Sequence, residues 1–281
     1  MWQGRAYTAR RVWSPSVPKG FEFYVRDRAE HAPLRGEWLR SSTSTHTILY
    51  LLAAVTTFAR RRAIVRSALG WQRAQANVFS LDYRLAPEHR FPAAVDDAVA
   101  AYRALRAQGI AAESIVIGGG LAFAALFALR DAGDTLPAGA VLFSPWTDLT
   151  CGGASMRTNE GRDPMFHAAV FPGVAAQYLG GKEATHPYAS PLFANLEGLP
   201  PLLIQTGDTE LLLDDSTRFA DKARAAGVEV NLQVWPNVPH IFQIWAPFMP
   251  EVRSALADAA RFAQAVTRAN QSQRPPITSM V

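Results

Sequence analysis

Short apolar runs rich in β-branched residues recur along the chain, and each is bounded by turn residues. Runs of this length and composition are typical of strands that are buried on both faces of a sheet. Six of them occur: TILYLL (47–52), NVFSLD (77–82), SIVIG (114–118), AVLFS (140–144), PLLIQTG (201–207) and VEVNLQVW (228–235). The pattern therefore predicts six buried strands.

Stretches with apolar residues at helical spacing alternate with these runs. They are PAAVDDAVAAYRALRAQG (92–109), LAFAALFALRDAG (121–133), DDSTRFADKARAAG (214–227) and PEVRSALADAARFAQAV (250–266). The first three end in a glycine, which is a common helix stop, and the third begins with aspartates that favour a helix start. Alternation of strands and helices predicts an α/β fold with a doubly wound, mostly parallel sheet.

The apolar fraction of 49% is ample for the core of one large domain. We therefore expect a single domain over residues 1–281. Within it, we expect residues 1–35 to form a short N-terminal cap segment and residues 150–195 a small cap-like insertion between two core strands. Residues 269–281 are expected to be a frayed tail.

The basic character of the chain is confined to one segment. The net charge is +4 and the isoelectric point is near 9.4. Residues 52–76 hold five arginines and no acid, so the remainder of the chain carries 4 − 5 = −1. No aromatic residues alternate with these charges in the manner of a single-strand-binding face, and we expect no nucleic-acid partner.

Several other classes of protein are excluded by composition. No apolar run reaches the roughly 18 residues of a membrane span, and no secretory leader is evident near residue 1, so we expect no membrane span and a cytoplasmic location. One cysteine, Cys151, excludes an internal disulfide. Four histidines lack the spacing of metal ligands, namely His46, His89, His167 and His186. We expect no metal and no cofactor. The sequence does not indicate the oligomeric state.

Titratable residues follow two of the predicted strands directly. Asp208, Glu210, Asp214 and Asp215 come after strand 201–207, and His240 follows strand 228–235. Ligands of such sheets bind beyond the carboxyl ends of the strands. An acid that precedes a histidine in this way matches the order of the last two members of an α/β-hydrolase triad.

Four longer segments resemble successive signatures of the hormone-sensitive-lipase-like carboxylesterases, a branch of the α/β-hydrolase fold. They are LDYRLAPEHRFPAAVDDAVAAYRAL, LFSPWTDLT, GLPPLLIQTGDTELLLDDS and WPNVPHIFQIW, and the match runs from about residue 36 to the last helix. The resemblance implies hydrolysis of small, short-chain acyl esters through an acyl-enzyme. In the family a serine attacks, a histidine relays the proton, an acid orients the histidine, and the amides of an H-G-G-G loop hold the oxyanion.

By position in these segments, His240 matches the catalytic histidine and Glu210 the acid of the family. A histidine on a loop after the last strand, beside an acid that fixes its tautomer, suits the role of a proton relay. Asp208 is the alternative acid. Asp214 and Asp215 are expected to cap the helix that follows.

Two parts of the family pattern are absent. Where the family has His-Gly-Gly-Gly, this chain has Leu-Ala-Ala-Val at 52–55. Where the family has its nucleophile segment G-D-S-A-G, the chain passes from Ile117 directly into three glycines, 118–120. The flanks of the nucleophile elbow match, so about five residues are missing by comparison with the family pattern.

The first loss has the character of a shifted reading frame. The codons GGC-GGC-GGT-TAC for Gly-Gly-Gly-Tyr, read one base later, give GCG-GCG-GTT-AC, which encodes Ala-Ala-Val-Thr, the sequence at 53–56. We therefore hypothesise a frame shift over codons 52–76, with ordinary divergence as the alternative. Translation of all frames of the gene would decide between them, and failure to recover H-G-G-G would exclude the shift.

The basic stretch 56–62 is expected to be a mobile loop.

No other residue takes the place of the nucleophile. Ser155 lies in GGASM, which lacks the second glycine of an elbow, and Ser144 at a strand end is predicted to be structural. Three interpretations remain open. The protein is an esterase by descent with impaired or absent activity, or it is a non-catalytic binding or scaffold protein. In the third interpretation it is a working enzyme, and the sequence as written lacks some of its residues or gives them wrongly.

Overall fold

The computed structural model describes residues 21–26, 35–51, 75–245 and 248–272. Its centre is one eight-stranded sheet with the order β1-β2-β4-β3-β5-β6-β7-β8. The strands are β1 Phe21–Arg26, β2 Gly36–Ser41, β3 Thr47–Tyr50, β4 Asn77–Leu81, β5 Ile115–Gly118, β6 Gly139–Phe143, β7 Leu202–Gly207 and β8 Val230–Trp235. Strands β3 to β8 are parallel, whereas β1 pairs with β2, and β2 with β4, in antiparallel fashion.

The six predicted strands are confirmed as β3 to β8, with ends within two residues of those expected. The prediction missed β1 and β2. Residues 21–26, which were expected in an N-terminal cap segment, instead form β1 of the sheet. Charged residues interrupt both missed strands, at Glu22 and Arg26 in β1 and at Glu37 and Arg40 in β2. Neither strand therefore contains the continuous apolar run that is typical of a parallel core strand.

The described helices are α1 Ala93–Ala107, α2 Ala122–Asp131, α3 Ser155–Thr158, α4 Phe171–Leu179, α5 Leu213–Ala225 and α6 Pro250–Ser272. Short 3₁₀ turns lie at Ala112–Ser114, Ala168–Val170, Pro191–Phe193 and Phe242–Trp245. The four predicted helices are present as α1, α2, α5 and α6. Helix α6 continues to Ser272 and so includes the start of the predicted tail, whose remainder lies outside the described residues.

Helices cover both faces of the sheet, which confirms the doubly wound arrangement. Along β5, Ile115 and Ile117 join the core cluster that contains α1, α2 and α5, whereas Val116 joins the cluster that contains α6. Each fully buried side chain of this kind stabilises the fold by roughly 1.5–3 kcal/mol. Because successive residues point to opposite, covered faces, most positions of the central parallel strands are apolar.

Strand β8 departs from the expectation that every core strand is buried on both faces. It pairs only with β7 and is an edge strand of the described sheet. None of its six residues is fully buried, and Val234 is 45% exposed. Its apolar composition therefore reflects strand propensity more than burial.

The predicted insertion 150–195 lies between β6 and β7 and contains α3 and α4. The replaced oxyanion segment at 52–55 and the basic loop at 56–62 both lie outside the described residues. None of the described helices has the length and apolar character needed to cross a bilayer.

Candidate active site

The parallel strands bring the residues that follow β5, β6, β7 and β8 to one edge of the sheet. These four strands are neighbours in that order. The segments after them begin at Gly119, Ser144, Asp208 and Pro236 respectively, and the last leads to His240. The carboxyl edge therefore gathers the candidate residues, as expected for a site on such a sheet.

The structure brings His240 and Glu210 together. Nδ1 of His240 lies 2.8 Å from Oε2 of Glu210, and the two residues are 8% and 0% exposed. A carboxylate accepts only from a protonated nitrogen, so in the neutral ring Nδ1 carries the hydrogen and Nε2 the lone pair. Nε2 makes no hydrogen bond to the described part of the chain. The ring of Phe166 stands edge-on to the imidazole, with 5.0 Å between centroids.

The carboxylate of Glu210 is held by donors on its other oxygen as well. Oε1 accepts hydrogen bonds from the hydroxyl of Ser144 at 2.7 Å, from the hydroxyl of Thr206 at 3.2 Å and from the backbone N–H of Gly207. A fully buried charge is tolerated when its oxygens are satisfied in this way. The carboxylate is thus fixed in position before any substrate binds.

Ser144 connects the acid to the histidine loop. Its hydroxyl donates to Glu210 and accepts the N–H of Ile241 at 3.0 Å, next to His240 in the chain. Both Ser144 (φ 47°) and Ile241 (φ 43°) have a left-handed backbone, which is unusual for side chains of these types. The sequence predicted a structural role for this serine but missed its contact with the acid; the position of Ser144 at the carboxyl end of β6 was the available signal.

Asp208, the alternative acid, does not contact His240. Its Oδ1 accepts the N–H of Asn237 at 2.7 Å, and its own N–H donates to the carbonyl of Trp235 at 2.9 Å. The aspartate therefore shapes the turn after β8 that leads to the histidine. Of the two candidate acids, only Glu210 is paired with the imidazole; a catalytic role for this pair stays a prediction.

The expectation that Asp214 and Asp215 cap the following helix is wrong. The helix has no side-chain cap, and both residues lie in its first turn. Asp215 instead accepts the N–H groups of Thr147 and Asp148 at 2.7 and 2.8 Å, in the loop after β6. Its Oδ2 has no hydrogen-bond partner among the described residues, and burial raises the pKa of the Asp215 carboxyl to about 7 against the opposing effect of these two donors.

Asp214 and Ser155 link α5 to α3 reciprocally. The Asp214 carboxylate accepts the N–H of Ser155 at 3.0 Å, and the Ser155 hydroxyl accepts the N–H of Asp214 at 3.0 Å while donating to the carbonyl of Leu211. Ser155 is buried and both roles of its hydroxyl are occupied. These contacts are structural and leave no activated nucleophile at this position.

Two side chains of the insertion hold the segment that carries the acid. The amide of Asn159 donates to the carbonyls of Asp208 and Glu210 at 3.1 and 2.8 Å. Asp163 accepts the N–H of Leu211 at 3.0 Å through one oxygen and the N–H of Phe166 at 3.2 Å through the other. The insertion therefore positions both the acid and the aromatic ring beside His240.

The turn after β5 is closed tightly against β3. Gly119 has φ 105°, and a Cβ at this position would lie 1.8 Å from the carbonyl oxygen of Leu51. The N–H of Leu51 donates to the carbonyl of Gly118 at 2.7 Å. Residues 118–121 are Gly-Gly-Gly-Leu. The turn after β5, where the family carries its nucleophile, therefore contains no hydroxyl or thiol.

The remaining candidate groups show no second reactive site. Burial, with Asp215 and Asp148 nearby, raises the pKa of Cys151 to about 11 and keeps its thiol protonated. His167 pairs with Glu160 on the surface at 2.9 Å. In the ranges described here, no three His, Cys, Asp or Glu residues are grouped as ligands of a metal ion.

Comparison with known proteins shows the family to which this chain belongs. A family model described as alpha/beta hydrolase fold matches residues 57–244. An acetyl-hydrolase of Streptomyces hygroscopicus is 43% identical over 239 residues, which are 82% of this chain and 80% of that protein. An esterase of Acinetobacter venetianus is 35% identical over 242 residues, with 83% and 79% covered.

Solved structures are similar over nearly the whole chain. An esterase from the bacterial hormone-sensitive lipase family superposes with a TM-score of 0.82 at 38% identity, over 90% of this chain and 87% of that one. A hormone-sensitive lipase from a metagenome library gives 0.86 at 33% identity, over 94% and 92%. This chain therefore belongs to the α/β-hydrolase fold family and, within it, to the carboxylesterases related to hormone-sensitive lipase.

Proposed function

We propose that this protein hydrolyses small acyl esters slowly at the carboxyl edge of its sheet, with His240 and Glu210 as the reactive pair. One observation carries the proposal: a buried imidazole bonded to a buried carboxylate at 2.8 Å, with its second nitrogen unpartnered in the described ranges. Relatives named acetyl-hydrolase and esterase support short acyl chains as the substrate class.

The pair supplies basicity at a defined atom. Because Glu210 holds the hydrogen on Nδ1, the lone pair of Nε2 is free to act on an ester or on water, and the carboxylate stabilises the positive charge that the ring then acquires. The edge of Phe166 supplies an apolar wall beside the ring. An acyl group with a short apolar chain fits such a wall.

The turn after β5 limits the rate. It carries no serine, and removal of a single oxyanion donor typically costs about 10²–10³-fold in turnover. The imidazole must therefore act without an activated hydroxyl and without the H-G-G-G amides of the family. We expect turnover far below that of an esterase with a complete triad.

Hydrolysis of p-nitrophenyl acetate and p-nitrophenyl butyrate tests the proposal. The wild-type protein should release p-nitrophenol above the buffer rate, and His240→Ala should abolish the excess. His167→Ala is the matched control, because His167 forms a similar histidine–glutamate pair, at 2.9 Å, but is 76% exposed. Equal rates for the wild type and His240→Ala would exclude the proposed function.

A second candidate is a binding protein that uses the same cleft without turnover. The close contact between Gly119 and the carbonyl of Leu51 favours it, because this contact closes the place where the family carries its nucleophile. A non-hydrolysable ketone analogue of a short ester distinguishes the two. Saturable binding of the ketone, with no ester turnover that depends on His240, would favour the binding protein.

A further inference from the structure

His240 is the one strongly positioned nucleophilic side chain at the carboxyl edge within the described ranges. Its Nδ1 is committed to Glu210, and Glu210 is itself fixed by three further donors. The neighbouring hydroxyls are committed elsewhere: Ser144 bonds Glu210 and Ile241, and Ser155 bonds Leu211 and Asp214. Among these groups, Nε2 of His240 is therefore the nucleophilic atom that no hydrogen bond to the described residues occupies.

We propose that Nε2 of His240 is itself the acyl acceptor, and that the protein acts on esters with good leaving groups, such as aryl esters. This inference rests on the proposed function and deepens it by naming the nucleophile and the substrate class. An imidazole is a competent nucleophile in its neutral form, and the hydrogen bond to Glu210 holds the ring in the tautomer that the attack requires.

The reaction balances without any group that the chain lacks. The Nε2 lone pair forms a bond to the carbonyl carbon, and the bond from that carbon to the aryl oxygen breaks as the phenolate leaves with its electron pair. The product is an N-acyl imidazolium whose charge faces the Glu210 carboxylate. Water then adds to the acyl carbon, the C–N bond breaks with return of the pair to Nε2, and the acid and one proton are released.

The leaving group decides which esters react. The tetrahedral adduct expels whichever group leaves more easily, and imidazole leaves far more easily than an alkoxide. An alkyl ester therefore reverts to starting materials, whereas a phenolate competes with imidazole and departs. A triad with a serine and an oxyanion hole does not have this restriction, because its intermediate is stabilised and its leaving group is protonated.

Rapid acid quench followed by intact-mass measurement tests the proposal. Wild-type protein mixed with p-nitrophenyl acetate should gain one acetyl group, located on the His240 peptide and removed at once by hydroxylamine. His240→Ala should lose this adduct, and His167→Ala should keep it. Glu210→Gln should still be acetylated, but more slowly, because a neutral amide accepts the Nδ1 hydrogen without stabilising the positive ring.

A series of acetate esters with successively poorer leaving groups provides the second measurement. The rate that depends on His240 should fall steeply from p-nitrophenyl to phenyl acetate and vanish for ethyl acetate. Turnover that depends on His240, gives no acetyl adduct and slows in heavy water would show that the imidazole acts as a general base on water; this overturns the inference and leaves the proposed function intact. An acetyl group on a serine or threonine would overturn it as well. Turnover independent of His240 would overturn both.

Discussion

At the scale of single residues, the carboxylate of Glu210 is held by donors that come from three different strand ends. Ser144 follows β6, Thr206 and Gly207 end β7, and His240 follows β8. The contact between Glu210 and His240 could be predicted from their chain order and surrounding motif, whereas their catalytic role stays a prediction. The role of Ser144 could not be predicted, since its partner is 66 residues away and only the fold brings the two together.

Asp215 gives the pH dependence that we expect of folding. Burial raises its pKa from 3.8 to about 7, so the folded state binds this proton more tightly than the unfolded state does. The stabilising contribution of the protonated carboxyl is complete below about pH 4, declines as pH rises and is lost above about pH 7. Asp215→Asn should remove this decline, because the amide oxygen can still accept the two N–H groups of Thr147 and Asp148.

Urea unfolding at about pH 5 and about pH 8 measures the effect of Asp215. Relative to the wild type, the free energy of unfolding of Asp215→Asn should rise by roughly 2–3 kcal/mol between the two pH values. Asp221→Asn removes an exposed carboxylate from the same helix and serves as the control, with little change expected. A constant difference between wild type and Asp215→Asn would show that the buried carboxyl does not titrate in this range.

At the scale of elements, apolar runs located each described parallel strand, because burial on both faces favours apolar residues along most of a central strand. The same criterion missed the antiparallel β1 and β2, whose apolar runs are interrupted by charged residues. It also predicted too much burial for β8, because composition does not show that a strand lies at an edge. At the start of α5, Asp215 accepts a hydrogen bond from the loop after β6, and Asp214 accepts one from the insertion. These contacts are distant in sequence, so local helix signals do not predict them.

The turn between β5 and α2 should tolerate no side chain at Gly119. Gly119→Ala places a methyl group against the carbonyl of Leu51 and requires a backbone with φ 105°, so we expect a loss of about 2 kcal/mol or more in the free energy of unfolding. Gly133→Ala, beyond the other end of α2, is the matched control. Its φ is 76°, but nothing lies within 4 Å of the added methyl, so it should cost only about 1 kcal/mol.

Thermal or urea denaturation of the two glycine variants separates backbone strain from steric contact. An equal loss for Gly119→Ala and Gly133→Ala would show that the contact with Leu51 is absent in solution. The same contact would oppose a serine at this position, because its Cβ would meet the carbonyl oxygen of Leu51.

At the scale of the whole molecule, the doubly wound sheet and the position of its reactive edge follow from the alternation of strands and helices. The contribution of the insertion could not be predicted in this way, because residues 155–171 show little regular spacing of apolar residues. Asn159 and Asp163 nevertheless fix the acid segment, which lies about 50 residues away in sequence, and Asp163 also holds the backbone of Phe166 three residues further on. Strand order therefore brings Glu210 and His240 together, whereas the contacts of Asn159 and Asp163 depend on how an irregular segment packs.

Reaction with a serine-directed fluorophosphonate tests whether the whole chain, as its sequence stands, holds an activated serine. Such a reagent captures a hydroxyl that a base and oxyanion donors activate together. The hydroxyls of Ser144 and Ser155 are buried and hydrogen-bonded, and the turn after β5 has none, so we expect no stoichiometric labelling. Intact mass measured on the same sample should be 30.7 kDa. A labelled serine together with a higher mass would mean that the protein contains nucleophile residues missing from the sequence, whereas a labelled serine at the expected mass would contradict the structural roles given to these hydroxyls.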